Sequence, residues 1–275
     1  MKIFSGKPDD RYNQNKIDKQ ARNLAYFWQP KTEAPNIGDY LALDIVQQML
    51  HLKNRFVLDK INKKNKLLSI GSVLHFAQDG DVLWGTGRNG KLDEKVHTFS
   101  SLDVRSVRGP LTRDYLLSKG ISCPEVYGDP AIIAPLFYPE KLMCPNGPSQ
   151  EFVIVPQLND DISFYKGYED LLVSPRMYPG EFIQSISKAK TVISSSLHGV
   201  ILAEAYGRNA IFLDSGSGET RFKYDDYYQG TGRSSYHVTA HIEEAKTMDS
   251  APIPDLETRQ KALVNVFPYE LWPLN

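Results

Sequence analysis

Thr191-Val-Ile-Ser-Ser-Ser-Leu-His198-Gly199-Val-Ile-Leu-Ala-Glu204-Ala-Tyr-Gly207 is the stretch that decides the fold class of this chain. Val192 and Ile193 end a β-branched run of the kind buried in parallel sheets, after which the chain turns through serines, a histidine and a glycine. Val200, Ile201, Leu202, Ala203, Ala205 and Tyr206 leave no polar face, so the helix that follows is interior too. His198 then falls at a helix N-terminus and at the carboxyl edge of a sheet. Open α/β folds bind ligands at that edge, and the first-turn N–H groups favour anions. The competing assignment is a buried histidine bonded to a backbone carbonyl.

Outward from this corner, strand-like and helix-like segments alternate. Strands are predicted over residues 25–28, 66–70, 81–84, 104–107 and 125–127, with helices over 40–52 and 110–118. Pro110 fits a first helical turn, where its missing N–H costs nothing, and Gly120 closes the far end. Cys144-Pro-Asn-Gly-Pro148 forbids regular structure, and the alternation then restarts. Strands follow at 151–156, 170–173, 191–194 and 210–213, with helices over 181–189 and after His198, and residues from Glu243 onward read as a terminal helix and tail. Such alternation implies parallel sheets covered by helices, in two α/β lobes over residues 1–146 and 147–275. The C-terminal tail is free to cross back, and a hinge is expected near Asn146-Gly147.

Composition narrows the function. With 32 basic and 33 acidic residues among 275, the chain lacks the broad positive field that nucleic-acid binding needs. Two cysteines, Cys123 and Cys144, make neither a zinc nor a redox spacing, so a reduced cytoplasmic protein is expected. Residues 1–22 are too polar for a signal peptide, and no apolar run reaches the ~18 residues of a membrane span.

Several motifs admit structural explanations. Gly85-Thr-Gly87-Arg-Asn-Gly90 fits a dinucleotide-binding pattern, but no helical stripe follows, so it reads as a Gly-rich bend lining a cleft. Asp79-Gly-Asp81 resembles a metal-holding pair in one class of glycosyltransferase, yet Asp-Gly before a strand is a tight turn. Asp160-Asp161 and Asp225-Asp226 read as solvated loop or helix-start acids, and no spacing suits a metal. Three loops remain. Asn36-Ile-Gly-Asp39 opens the first helix, with Gly38 permitting close approach and Asp39 able to cap. Arg108 follows a strand and precedes a helix, where its planar fork suits a carboxylate or phosphate, with an interdomain salt bridge as the competing role. Tyr127-Gly-Asp129-Pro-Ala131 ends another strand in a turn.

The succession Asn36-Ile-Gly-Asp39, Trp84-Gly-Thr-Gly87, Val107-Arg-Gly-Pro-Leu-Thr-Arg113, Gly128-Asp-Pro-Ala131 and Ser194-Ser-Ser-Leu-His-Gly199 resembles the polysaccharide pyruvyl transferase family. It extends from about Ala25 to Gly230. The tail-side element Arg221-Phe-Lys-Tyr-Asp-Asp-Tyr-Tyr228 is similar to that of the bacterial exopolysaccharide and capsule ketal pyruvyltransferases. The resemblance implies two Rossmann-like lobes in a GT-B-like arrangement, with the active site between an N-terminal acceptor lobe and a C-terminal donor lobe. It further implies transfer of pyruvate from phosphoenolpyruvate onto two hydroxyls of a sugar or lipid-linked oligosaccharide, without cofactor or metal. Contact with the inner membrane face is compatible with such an acceptor.

That chemistry requires donors for a phosphate and a carboxylate, and a group that moves protons near neutrality. Matched to the family, His198 is the acid/base and Arg108 the anion holder, with Asp39 as the third catalytic residue. Ser194, Ser195, Ser196, Gly199, Arg113 and Lys223 fall on the donor side. Asn36, Gly38, Gly85, Gly87, Asp129 and Glu204 fall on the acceptor side, Asp39 and Glu204 suiting a diol. Other branches carry an arginine where Ser196 stands here, so Arg113, Arg176, Lys223 or Arg221 must share the anion. A GT-B glycosyltransferase using a nucleotide sugar is the runner-up, although Phe212 stands where its retaining type commonly repeats a glutamate eight positions after the first. A carbohydrate-binding module would expose flat aromatics instead. Thermal protection by phosphoenolpyruvate or by a nucleotide sugar separates the three.

Overall fold

The computed structural model describes residues 21–28, 36–60 and 64–273. In the first half, β1 (Ala25–Tyr26) leads to helix α1 (Ile37–His51), β2 (Leu67–Leu68), β3 (Val82–Trp84), β4 (Asp103–Ser106) and α2 (Pro110–Ser118). A short helix α3 (Glu140–Met143) precedes the second half. There β5 (Gln150–Val155), α4 (Pro179–Ser187), β6 (Ala189–Ser194), α5 (Leu197–Ala205), β7 (Asn209–Leu213), α6 (Phe222–Gly230) and β8 (Val238–Thr239) follow, closed by α7 (Ile242–Ala245) and α8 (Leu256–Asn265). Each half holds one four-stranded sheet, ordered β1-β2-β3-β4 and β5-β6-β7-β8, with every neighbouring pair parallel. Two parallel sheets with covering helices are consistent with Rossmann-like lobes.

Local chemistry explains where elements begin. Helix α1 starts three residues before the expected residue 40 because Asn36 and Asp39 form a reciprocal capping box. The Asn36 side chain accepts from the N–H of Gly38 at 2.9 Å and of Asp39 at 3.4 Å, while Asp39 Oδ2 accepts from Asn36 N–H at 3.3 Å. Asn36 is thus the cap and Asp39 its partner. Helix α2 begins on Pro110, and Gly120 follows it at φ +75°. Two expected strands shrink to isolated bridges. Residues 125–127 pair with the chain just after β4 in a single bridge, Val107 with Tyr127, and 170–173 pair with β5 in a single bridge, Ile154 with Leu172. A 3-10 turn over Glu169–Leu171 takes the rest of the latter segment.

One apolar core runs through both halves, from Ile37, Leu41 and Ile45 on α1 to Val200, Ile201 and Leu202 on α5 and Leu263 on α8. Helix α5 packs against β6, β7 and the 3-10 turn Pro130–Leu136, which explains why it has no polar face. Separate clusters cover the far side of each sheet, around Leu83 and Leu116 in one and Ile193 and Ile211 in the other. The chain end packs on the first half. Trp84 Nε1 donates to the Leu263 carbonyl and Trp272 Nε1 to the Val57 carbonyl, both at 2.9 Å. Among the described residues no helix is long and apolar enough to cross a membrane.

Candidate active site

The carboxyl ends of the two sheets meet at His198. Strand β6 delivers the chain to Ser194, whose Oγ locks the corner: its one proton is within reach of the Val155 and Ser196 carbonyls at 3.0 and 2.9 Å, and its oxygen accepts from Ser196 N–H at 3.0 Å. Helix α5 then starts at Leu197 with no side chain capping it. Its imidazole lies against the start of α1: a Cβ added to Gly38 would stand 2.3 Å from Nδ1 and Cε1 of His198. Only glycine admits the ring there. On its other side, Nε2 of His198 is 3.5 Å from Oδ2 of Asp129. Asp129 is wholly buried and caps the turn Pro130–Leu136, Oδ1 accepting from Ala131 N–H at 3.1 Å. Asn36, Gly38, Asp39, Asp129 and His198, drawn from three distant motifs, therefore occupy one locality.

Asp39 is chemically the most perturbed of these. Its residue keeps some surface while its carboxyl lies deep among neighbouring atoms, and burial pushes its pKa up to about 8. The Asn36 N–H bond and the positive charges of Arg22 and Arg176 act in the opposite direction, and burial wins. Burial thus favours the protonated form of Asp39 at neutral pH. Arg22 carries no motif, and only its place just before β1 could have marked it; it also donates to the Tyr26 hydroxyl at 3.5 Å. Arg176 follows Pro175, whose carbonyl accepts the Ile37 N–H at 2.7 Å, tying this loop to the start of α1.

Several other predicted site residues are committed elsewhere. Arg108 is fully buried: Nε reaches Asp226 Oδ2 at 3.0 Å, and the two terminal nitrogens donate to Ser72 Oγ and the Arg88 carbonyl, each at 2.6 Å. Its fork is engaged in a salt bridge between the halves, the competing role weighed for it, and in bonds to Ser72 and Arg88 that draw on most of its five N–H groups. Glu204 is buried and gripped by Arg233 at 2.6 and 2.8 Å and by the Tyr227 hydroxyl at 2.6 Å, so both of its oxygens are engaged within the protein. Arg113 donates to the Cys123 carbonyl and pairs with Glu125. Lys223 pairs with Glu219 at 2.7 Å, an acid that Lys91 shares, and burial pushes the lysine pKa down. Arg221 is exposed, 3.8 Å from Asp214.

Glycines of the Trp84-Gly-Thr-Gly87 bend serve packing. A Cβ at Gly85 would meet Pro130, and one at Gly87 would lie 2.5 Å from Cζ of Arg108. Gly199 likewise makes room for Ser194 Oγ. Asp79 accepts from the Ser100 and Ser101 N–H groups and Asp81 pairs with Lys66, so that pair is a structural turn.

Two acids read as solvated are not. Asp226 is wholly buried and also accepts from Thr112 N–H and Oγ1 at 3.0 and 2.7 Å. Asp160 gathers Ser195 Oγ, the Tyr165 hydroxyl, Ser215 Oγ at 2.6 Å and Gln157 N–H at 2.9 Å. Ser195 is therefore a strut beneath the corner, and Ser196 alone of the three serines has a side chain that makes no hydrogen bond among the described residues. Cys123 and Cys144 are free and buried, and burial pushes the Cys123 thiol up to about 12. Among the described residues no three His, Cys, Asp or Glu are grouped to hold a metal ion.

Two parallel-sheet halves on an α/β scaffold thus bring a histidine, an acid whose burial raises its pKa and a buried carboxylate to one place. Residues 36–217 match the polysaccharide pyruvyl transferase family, and the chain belongs to that family. Membership makes it a transferase. The matched span runs from the Asn36 cap through His198 and so contains every member of the central cluster. No curated protein and no solved structure matches the chain.

Proposed function

We propose that the protein transfers the pyruvyl group of phosphoenolpyruvate to two hydroxyls of one sugar in an exopolysaccharide or capsule repeat unit, working in the cytoplasm from a GT-B-like cleft. The observation that carries this is the convergence of His198 and the neutral Asp39 at the family's own motifs. A carboxyl whose burial favours its protonated form, set beside an imidazole, offers both partners to a reaction needing an acid and a base.

His198 takes the proton of an attacking sugar hydroxyl while Asp39 delivers a proton to C3 of the enol, and the hydroxyl oxygen bonds to C2. The second hydroxyl then bonds to C2 as the C2–O bond to phosphate breaks. Of the two hydroxyl protons, one ends on the new methyl group and one on the released phosphate. The uncapped first turn of α5 and the guanidinium groups of Arg22 and Arg176 receive the donor's anionic groups. Asn36 and Asp39 border the acceptor. A nucleotide-sugar glycosyltransferase is disfavoured by the occupied Glu204 and by Phe212 eight positions beyond it.

Mass spectrometry of phosphoenolpyruvate incubated with galactosides, glucosides and mannosides tests the proposal. A product heavier by one pyruvyl ketal, with phosphate released one for one, is the expected result. His198→Gln should lower turnover ~10²–10⁴-fold while donor binding persists. Sugar transfer from a nucleotide donor, or full activity in His198→Gln, overturns it.

A further inference from the structure

We propose that Asp129 is the positioning residue for His198, holding the Nε2–H of the imidazole so that Nδ1 is the nitrogen that exchanges a proton with substrate. This rests on the acid/base role given to His198 above and adds which atom acts and what aims it.

The two ring nitrogens sit in different surroundings. Nε2 is shut off from solvent and makes no hydrogen bond among the described residues, yet Asp129 Oδ2 lies only 3.5 Å away. A buried imidazole nitrogen with one carboxylate in reach has one use for it. If Nε2 carries the proton, a small ring shift completes a charge-assisted bond; if Nε2 carries a lone pair, that lone pair faces carboxylate oxygen and is repelled. The Nε2–H tautomer is therefore favoured. The side chain as a whole remains 14% exposed, and Nδ1 is the ring nitrogen that does not face Asp129, on the edge that lies beside Gly38.

Asp129 is built to stay put. Oδ1 accepts from Ala131 N–H at 3.1 Å and Oδ2 from Gly71 N–H at 3.5 Å, which fixes the carboxylate plane and leaves Oδ2 a second acceptor position. Gly71 follows β2, Asp129 follows the bridge beside β4, and His198 follows β6. Three strand ends thereby set one proton-transfer axis. In the step itself the hydroxyl proton passes to Nδ1, the oxygen keeps the electron pair for its new bond to carbon, and Nε2–H stays in place. The positive charge that appears on the ring faces Asp129, as in other carboxylate–imidazole pairs.

Nitrogen-15 NMR of histidine-labelled protein, with the His198 signals assigned by their loss in His198→Gln, reads the tautomer without substrate. The expected result is Nε2–H in the wild type and a mixed or reversed population in Asp129→Asn. Asparagine caps helical turns as well as aspartate, so that variant should keep its fold. Its kcat should fall ~10²–10⁴-fold, with KM for phosphoenolpyruvate nearly unchanged. An Nδ1–H tautomer in the wild type overturns the proposal, as does an Asp129→Asn protein with wild-type tautomer and kcat. Should Asp129→Asn not fold, the wild-type tautomer decides alone. An Nε2–H tautomer in a protein that never consumes phosphoenolpyruvate would remove the pyruvyl reading and leave the pair standing.

Discussion

Arg108 and Asp226 face each other at 3.0 Å with both side chains at 0% exposure, joining the loop after β4 to helix α6. The contact around them is tight: a Cβ on Gly109 would sit 1.7 Å from the Asp226 carbonyl oxygen, and one on Gly230 would sit 2.3 Å from the Arg108 carbonyl oxygen. Helices α2 and α6 can approach this closely only on glycine.

Removing either charge should act on stability. Arg108→Ala or Asp226→Ala leaves a buried partner uncompensated, and urea melts should show a loss of ~3–5 kcal/mol. Arg108→Lys keeps the charge but not the fork, so it should also destabilise. Phosphoenolpyruvate affinity of the folded fraction should hold. A stable Arg108→Lys protein with weakened donor binding would return Arg108 to the anion site.

Gly38→Ala should separate folding from turnover at the α1 start. The added methyl collides with the His198 ring, which is the far end of a side chain able to move, so the stability loss should stay within ~1–3 kcal/mol. Turnover should fall ~10²-fold or more, because a reacting group displaced by about 1 Å loses its alignment. Kinetics beside a thermal melt check both halves of this expectation.

Asp39 predicts a direction for stability against pH. Its folded pKa of about 8 lies above that of an unfolded aspartate, so between them the native state binds the extra proton. Stability from this group is full at acidic pH, declines as pH rises from about 4 towards 8, and is gone above. Asp39→Asn should flatten that decline in urea melts taken at several pH values. If Asp39 is the acid in catalysis, the alkaline fall in kcat near pH 8 should disappear with it.

Chelation should leave turnover intact. Asp79 and Asp81 are held by Ser100, Ser101 and Lys66, and anion binding is assigned to arginines and a helix start. Loss of activity in EDTA, restored by magnesium or manganese, would contradict this.

The sequence was most legible where periodicity and corners agree. The unbroken apolar face of α5 announces a buried helix, and the Ser-Leu-His-Gly corner announces its start at the carboxyl edge of a sheet. Asn36-Ile-Gly-Asp39 announced a helix entry, although the division of labour between cap and partner needed geometry. Charge was the least legible property. Arg108 and Glu204 look like ligand residues in a linear string because their partners, Asp226 and Arg233, lie 118 and 29 positions away. Asp160 and Asp226 look solvated for the same reason. Strand lengths were overread at 125–127 and 170–173, where apolar residues pack without completing a ladder. Helix α6 was recognised as a motif but not as the element that clamps Arg108.

The return of α8 onto the first sheet bears on how this chain is made. Trp84, fully enclosed, donates its indole N–H to a carbonyl 179 residues further on, and Trp272 reaches back 215 residues to Val57. A ribosome adding ~5–20 residues each second leaves roughly 10–35 seconds between the birth of Trp84 and that of its acceptor. Throughout that interval the first sheet is built but unroofed. The nascent first half must wait, shielded or loosely collapsed, until residues 179 to 215 positions further along arrive to cover it.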